Sequence, residues 1–210
     1  MIRRFIIAFV FLTGLVPSPA LTQDKPVSKD DQAAAWSAPT VSYSADMVFT
    51  NDRGRSRTAR IYYTPEKQRL EFKAGNEIVA IIFDQDANKA YQLLLNARGW
   101  RPVSTAVPQY NFGISDPSSS RKKLGTESMG GLPVTKYQVS SKTRMGDEFD
   151  GTAWATKDRI IVKIIGVVAR KTLKQRLTME LQNLKVGPID DTLFVVPVTY
   201  KKLPPLEIRN

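Results

Sequence analysis

The sequence predicts a mainly β (α+β) fold built on an antiparallel sheet. Three observations predict it: hydrophobic residues recur with a period of two from residue 41 onward, turn-forming residues separate the apolar runs, and few segments show a helical period. Parallel strands would need crossover helices, so the short connections favour hairpins. The length of 210 residues suits one domain, which we expect to span residues 41–210.

Ten β-strands are expected in this domain. They are residues 41–50, 58–64, 68–74, 77–84, 89–95, 134–141, 148–156, 159–168, 176–186 and 193–196. The segments 78–83 and 160–165 are continuously apolar, which is typical of strands covered on both faces. The alternation slips near Asn183, which predicts a β-bulge.

Turn chemistry lies between several of these strands. The turn segments are residues 64–67, 73–76, 84–88 and 156–158. Asp84, Asp86 and Asn88 also match the first half of a calcium loop, but Lys89 stands where glycine is required and Leu95 where glutamate is required. A hairpin turn therefore explains this segment better than a metal site.

Glycines and an irregular segment mark the middle of the chain. Gly125, Gly130 and Gly131 lack the lysine and helix of a phosphate-binding loop, so a β-turn explains them. Residues 97–120 contain Trp100 and several prolines, and we expect a long loop or short helix there that covers one side of the sheet.

The first twenty residues have the pattern of a secretory signal peptide. Arg3 and Arg4 precede an apolar run at residues 5–12, and small residues end at Ala20. We expect residues 1–20 to be a signal peptide cleaved after about Ala20, and the protein to be exported. Residues 21–40 are a polar leader with a possible short helix at 28–36.

The composition excludes several classes of active site. With no Cys and no His, the chain cannot build a Ser-His-Asp triad, a Cys-His pair or a thiolate or imidazole zinc site. The neighbouring carboxylates Asp147 and Glu148, and Asp190 and Asp191, are poorly placed to share a site, because adjacent strand residues point to opposite faces. We therefore expect no enzyme activity, no metal and no cofactor.

The chain is basic, with 31 Lys and Arg against 20 Asp and Glu, a formal net charge of +11. The basic residues form three local groups: 53, 55, 57 and 60; 121–123; and 170, 171, 174 and 176. Solvated strand faces and turns explain such dispersed groups. An anionic membrane surface or an acidic envelope protein is the alternative partner, and nucleic acid is not expected, because stacking aromatics and a recognisable module are absent.

Several short motifs follow one another in an order known from one protein family. They are Tyr-Ser-Ala-Asp-Met at 43–47, Arg-Leu-Glu-Phe at 69–72, Gly-Thr-Glu at 125–127 with Thr-Lys-Tyr at 135–137, Gly-Thr-Ala-Trp at 151–154, and Asp-Thr-Leu-Phe-Val-Val-Pro-Val-Thr-Tyr at 191–200. In this order they resemble the LolA/LolB-like lipoprotein-carrier superfamily of the Gram-negative periplasm, and especially its outer-membrane lipoprotein-sorting-like relatives. The resemblance covers roughly residues 40–200.

The resemblance implies a curved antiparallel half-barrel sheet, with a few short helices or loops covering the concave face over an apolar cavity for acyl chains. It also implies a periplasmic location. In the carriers an arginine near the cavity helps to hold the closed state, and Arg60 or Arg69 is the implied counterpart here.

These observations predict a soluble periplasmic protein that binds a lipid or lipoprotein acyl chain without catalysis. The alternative is an envelope interaction module that binds an acidic partner or an anionic membrane surface. The candidate cavity residues are bulky side chains on predicted strands: Tyr63, Leu70, Phe72, Ile81, Phe83, Tyr91, Leu93 and Trp154.

Overall fold

The computed structural model describes residues 38–105, 119–142, 148–170 and 173–205. Its strands are β1 (Tyr43–Asn51), β2 (Ser56–Tyr63), β3 (Lys67–Ala74), β4 (Glu77–Asp84), β5 (Lys89–Leu94), β6 (Gly99–Val103), β7 (Ser120–Met129), β8 (Leu132–Lys142), β9 (Glu148–Ala155), β10 (Ile161–Arg170), β11 (Leu173–Val186) and β12 (Lys201–Lys202). Within these ranges they form one open, curved sheet with almost no helix, which confirms the predicted fold class. The predicted signal peptide and the helix at 28–36 lie outside the described residues.

The sheet consists of two meanders joined side by side. Its strand order is β12-β6-β5-β4-β3-β2-β1-β11-β10-β9-β8-β7, so the meander β1–β6 meets the meander β7–β11 where β1 pairs with β11. All neighbouring strands are antiparallel except β12, which pairs with β6 in parallel. The hairpin turns therefore alternate between the two ends of the sheet.

Each face of the sheet can be followed across the strands by register, because paired residues point to the same side. Face A carries Ala45 of β1 with Ile61 of β2, Leu70 of β3 and Ile81 of β4. Face B is the opposite side. It carries Ser44, Tyr62, Arg69, Ile82 and Tyr91, which are likewise in register.

Both faces bury apolar residues around β4. Val79 and Ile81 are buried on face A, while Ala80 and Ile82 are buried on face B. The face B residues pack against Phe194, which belongs to a 3-10 helical turn at Asp191–Phe194. The prediction of burial on both faces is therefore confirmed for residues 79–82, whereas Ile78 at the start of the strand is 41% exposed.

The predicted bulge is present in β11. Ser44 pairs with Lys185, and Asp46 pairs with Gln182. Two residues of β11, 183 and 184, therefore lie opposite the single residue Ala45. Asn183 occupies the bulge with φ of 52°, a left-handed conformation that asparagine tolerates better than most residues. The slip in alternation therefore predicted the bulge correctly.

The predicted strand at residues 193–196 is wrong. The chain instead makes the 3-10 turn, because the Asp190 carboxylate accepts a hydrogen bond from the Thr192 amide at 2.9 Å and caps it. The turn directs Phe194 into the core on face B.

Three strands were not predicted. β6 lies within the segment expected to be irregular and contains Pro102, which cannot donate to a ladder. β7 is mostly exposed and basic, so it shows no apolar alternation, and β12 has only two residues. The turn between β7 and β8 is as expected: Gly130 and Gly131 both adopt positive φ, of 58° and 81°, as a two-residue hairpin loop requires.

Candidate ligand-binding face

Five of the eight candidate cavity residues share face A. Tyr63, Leu70, Phe72, Ile81 and Phe83 lie on three neighbouring strands, and the register of β2, β3 and β4 points them to the same side. Tyr63, Leu70 and Ile81 are buried, whereas Phe72 and Phe83 are half-buried.

The other three candidates lie on face B, so the eight residues do not share one surface. Tyr91 pairs with Ile82, and Leu93 pairs with Ala80. Both belong to the apolar cluster around Phe194, and the Tyr91 ring meets the Trp100 ring edge-on at 5.8 Å.

Trp154 reaches face B in the second meander. It pairs with Lys136 and Lys163, while its neighbour Ala153 continues face A through Ile164. The indole N–H donates to the Glu127 carboxylate, and the Lys136 ammonium lies 5.2 Å from the ring centre. A tryptophan held in this way is a structural contact between β7, β8 and β9.

Face A has a continuous apolar row across six neighbouring strands. In register order the row consists of Leu181, Met47, Ala59, Phe72, Val79 and Leu94. Met47, Ala59 and Val79 are buried, and the other three are half-buried. With strands about 4.8 Å apart, the row is about 24 Å wide.

Two tyrosines form the polar margin of this face. The rings of Tyr43 and Tyr63 stack with centres 5.1 Å apart, and the Tyr63 hydroxyl donates to the Pro39 carbonyl oxygen at 3.1 Å. Burial, and then the neighbouring Tyr63, raise the pKa of Tyr43, and burial followed by Glu66 raises the pKa of Tyr63. Both hydroxyls are therefore neutral at physiological pH.

On face A of β9 and β10, an aromatic ring fills the space that two glycines leave open. Gly151 and Gly166 are paired across the two strands, and the Phe149 ring lies over both. A Cβ at Gly166 would lie 2.5 Å from the Asp150 carbonyl oxygen and 2.5 Å from the Phe149 ring. Glycine is required at this position because the backbone and the ring approach it closely.

Face B carries a charged network on β1, β2 and β11. The Arg60 guanidinium donates to the Asp46 carboxylate at 3.0 Å and to the Ser44 hydroxyl at 2.9 Å. The Asn183 amide donates to the other Asp46 oxygen at 2.7 Å. The hydrogen bond from Asn183, followed by that from Arg60, lowers the pKa of Asp46.

A second arginine on face B is buried and makes two side-chain hydrogen bonds. The Arg69 guanidinium donates to the Glu71 carboxylate at 2.7 Å and to the Leu193 carbonyl oxygen at 2.7 Å. Arg60 and Arg69 are thus on the side opposite Leu70 and Phe72, so neither lies among the face A residues as the implied counterpart of a cavity arginine.

The described residues offer no cluster of three or more carboxylates that could hold a metal ion. A shallow polar depression lies where β8 and β9 approach Ser120, and its margin includes the Lys142–Glu148 ion pair at 3.0 Å. In the same described part of the chain, no helix has the length and apolar character needed to cross a membrane.

Face A also includes residues of β1 that were not among the predicted site residues. Tyr43, Ala45, Met47 and Phe49 alternate with polar or smaller neighbours, and all four are buried or half-buried. Period-two alternation at these positions was the signal that could have identified them.

No protein-family model and no curated protein matches the chain. Solved structures do match it. An uncharacterized conserved protein from Thermus thermophilus is 12% identical over 78% of this chain and 90% of its own length, with a TM-score of 0.52. MucB is 13% identical over 82% of this chain, with a TM-score of 0.49, and the match spans 62% of MucB.

A LolA superfamily protein, NE2245 from Nitrosomonas europaea, is also among the matching structures. It is 9% identical over 80% of this chain and 94% of its own length, with a TM-score of 0.38. At these identities the likeness concerns the fold alone, and the Thermus thermophilus protein shares that fold.

Proposed function

We propose that this chain is a non-catalytic periplasmic protein that binds the acyl chain of a lipid or lipoprotein on face A and carries it through the envelope. The observation that supports this most directly is the uninterrupted apolar row from Leu181 to Leu94. Its width is comparable to the length of an extended long acyl chain.

The chemistry of face A suits such a ligand better than a polar metabolite. Binding an acyl chain gains about 25 cal/mol for each Å² of apolar surface removed from water. Phe72 and Phe83 retain part of their surface for such contacts, while Ala45 and Leu70 on the same face are fully buried. The charged groups of the Asp46 and Arg69 networks are engaged on face B, where they stabilise the fold.

The first test is to identify what the protein carries. Mature protein is purified from the periplasm without detergent, examined by native mass spectrometry and extracted with organic solvent. We expect a stoichiometric adduct with the mass of a phospholipid or acyl chain.

The second test locates the site with a dansylated undecanoic acid probe. Phe72→Ala removes a half-buried ring from face A, and Tyr91→Ala removes a half-buried ring from face B as the matched control. We expect Phe72→Ala to weaken probe binding about tenfold, because a lost aromatic contact costs about 1.5 kcal/mol, and Tyr91→Ala to leave it within about twofold. Failure of the wild type to bind the probe or to carry any lipid would refute the proposal, and equal losses in the two variants would refute the assignment to face A.

A further inference from the structure

The folded sheet brings together two of the three basic groups. The β1–β2 turn, the end of β3 and the start of β11 all lie at one end of the sheet, because Asn51 pairs with Leu177, and Ala59 pairs with Phe72. We call this end the basic hairpin end. Its basic residues are Arg53, Arg55, Arg57, Lys73, Lys174 and Arg176.

These six side chains are exposed, and they outnumber the acids of the same two turns, which are Asp52 between β1 and β2 and Glu77 after β3. None of them forms an ion pair with a described carboxylate; the four ion pairs among the described residues use other cations. They lie on β3, β2 and β11 and in the turn between β1 and β2, across a width of about 15 Å. Neighbouring strands lie about 5 Å apart and the Debye length is about 8 Å at physiological ionic strength, so the fields of adjacent cations add.

The β1–β2 turn holds two of these arginines in place. The Asn51 side-chain oxygen accepts hydrogen bonds from the amides of Arg53 and Arg55, each at 3.0 Å. Gly54 adopts φ of 69° at the tip. The loop is therefore a defined turn that presents both side chains to solvent.

Exposed apolar side chains lie directly beside these cations. Ile78 is 41% exposed and pairs across strands with Lys73, and Val167 is 37% exposed and pairs with Arg176. Leu173 is 62% exposed and precedes Lys174. Apolar residues among unpaired cations are the combination that favours the headgroup region of an anionic bilayer, where charge attraction and apolar burial act together.

The opposite end of the sheet has a different charge pattern. Its turns alternate acids and bases: Glu66 with Lys67, Asp84 and Asp86 with Lys89, and Asp158 with Lys157 and Arg159. The basic hairpin end therefore carries the larger excess of positive charge, and a negative surface attracts it more strongly than the opposite end.

We propose that the basic hairpin end is a docking surface for an anionic phospholipid bilayer. Docking through this end would set the strands upright on the membrane, with the half-buried Phe49 and Phe72 on the part of face A that is nearer the lipid. This surface is separate from the acyl-chain site, and it is tested with vesicles rather than with a bound acyl chain.

The experiment is a vesicle flotation assay on the mature chain, with vesicles of phosphatidylglycerol and phosphatidylcholine compared with phosphatidylcholine alone. The test variant is Arg53→Glu/Arg55→Glu/Lys174→Glu. The matched control is Lys89→Glu/Lys157→Glu/Lys185→Glu, which changes net charge equally at the opposite end, where these three lysines are exposed. Circular dichroism and urea unfolding verify that both variants are folded.

We expect the wild type to bind only the anionic vesicles, and less strongly as salt is added. Each basic residue near an anionic surface contributes roughly a fivefold factor in binding, so the test variant should lose about 100-fold at low salt. The control should stay within about threefold. No binding by the wild type, or equal losses in both variants, would overturn the proposal. The test variant should bind the dansylated undecanoic acid probe as strongly as the wild type does. A loss of vesicle binding can therefore be distinguished from a failure of acyl-chain binding.

Discussion

The Arg69 guanidinium donates to the Leu193 carbonyl oxygen at 2.7 Å across 124 residues of sequence. This bond attaches the segment after β11 to face B of β3, where Phe194 completes the second apolar cluster. The attachment is buried, because Arg69 is only 7% exposed, and its Nε–H donates to the Glu71 carboxylate at 2.7 Å.

Replacement of Arg69 should therefore detach the C-terminal segment. Arg69→Ala leaves the Glu71 carboxylate and the Leu193 carbonyl without their partner, and we expect the free energy of unfolding to fall by about 3 kcal/mol in urea titrations. Arg69→Lys should recover little, because one ammonium cannot reproduce the two directed contacts of the guanidinium.

Hydrogen exchange provides the local readout for this variant. The amides of Lys201 and Leu203 donate to Arg98 and Trp100 at 2.9 and 2.6 Å, so they should exchange faster once the segment is released. Lys73→Ala, an exposed change on the same strand, is the control and should alter stability by less than about 0.5 kcal/mol. Unchanged exchange at these two amides in Arg69→Ala would contradict this account.

The Asp46 network should make stability depend on pH. The hydrogen bonds from Asn183 and Arg60 lower the pKa of Asp46 in the folded state, so the folded state favours the carboxylate. The resulting stabilisation is complete above the unfolded pKa of about 3.9 and is lost as pH falls through the lower folded pKa. Asp46→Asn should therefore cost about 1 kcal/mol at pH 7, a modest value because the side chains of this pair are partly exposed.

The measurement is urea unfolding of wild type and Asp46→Asn at pH 7 and at about pH 2.5, well below the unfolded pKa. We expect the difference in unfolding free energy to shrink markedly at the lower pH. Asp150→Asn, on an exposed carboxylate of β9, serves as control and should show little difference at either pH. A gap between wild type and Asp46→Asn that is equal at both pH values would contradict the role assigned to the Asp46 charge.

The close packing at Gly166 predicts a large cost for a single methyl group. In Gly166→Ala the new Cβ must displace both the Asp150 carbonyl and the Phe149 ring, neither of which is free to move within the sheet. We expect a loss of about 3 kcal/mol in unfolding free energy. Gly54→Ala is the control: nothing lies within 4 Å of its Cβ, and it bears only the left-handed penalty of about 1 kcal/mol.

The two alanine variants are compared by thermal and urea unfolding under the same conditions. If Gly166→Ala is no more destabilising than Gly54→Ala, the ring and backbone do not constrain this position. The Phe149→Leu variant adds a second measurement, since it should relieve only the ring contact and leave the carbonyl contact in place.

Strands β1 to β5 of the first meander could be predicted because their apolar residues alternate and their turns are short. β4, for example, begins at Glu77 and ends at Asp84, as the sequence predicts. The bulge at Asn183 was visible for the same reason, since an inserted residue shifts the alternation. β7 could not be seen because Arg121, Lys122 and Lys123 provide no apolar face.

The face of each residue was harder to predict than its strand. Alternation divides the residues of one strand into two sets that point to opposite faces. The length of the connecting loop and the bulges decide which of the two sets shares a face with the apolar residues of the next strand. Tyr91 and Leu93 are apolar and regularly spaced, yet the pairing of Ile82 with Tyr91 puts them on face B. Only the C-terminal segment explains why that face is also apolar, and its contact with Arg69 is not local in sequence.

An acyl ligand held on face A should also stabilise the fold. A ligand present at about 100 times its dissociation constant adds about 2.7 kcal/mol to the free energy of unfolding, provided that it does not bind the unfolded chain. For a chain of this size that corresponds to a rise in Tm of about 5 to 10 °C. Differential scanning fluorimetry with and without palmitate measures the shift, with decanedioate as a control whose two charged ends cannot both be accommodated on the apolar row. Phe72→Ala should reduce the shift and Tyr91→Ala should preserve it, since only Phe72 belongs to the row between Leu181 and Leu94. An equal shift in both variants would place the ligand elsewhere.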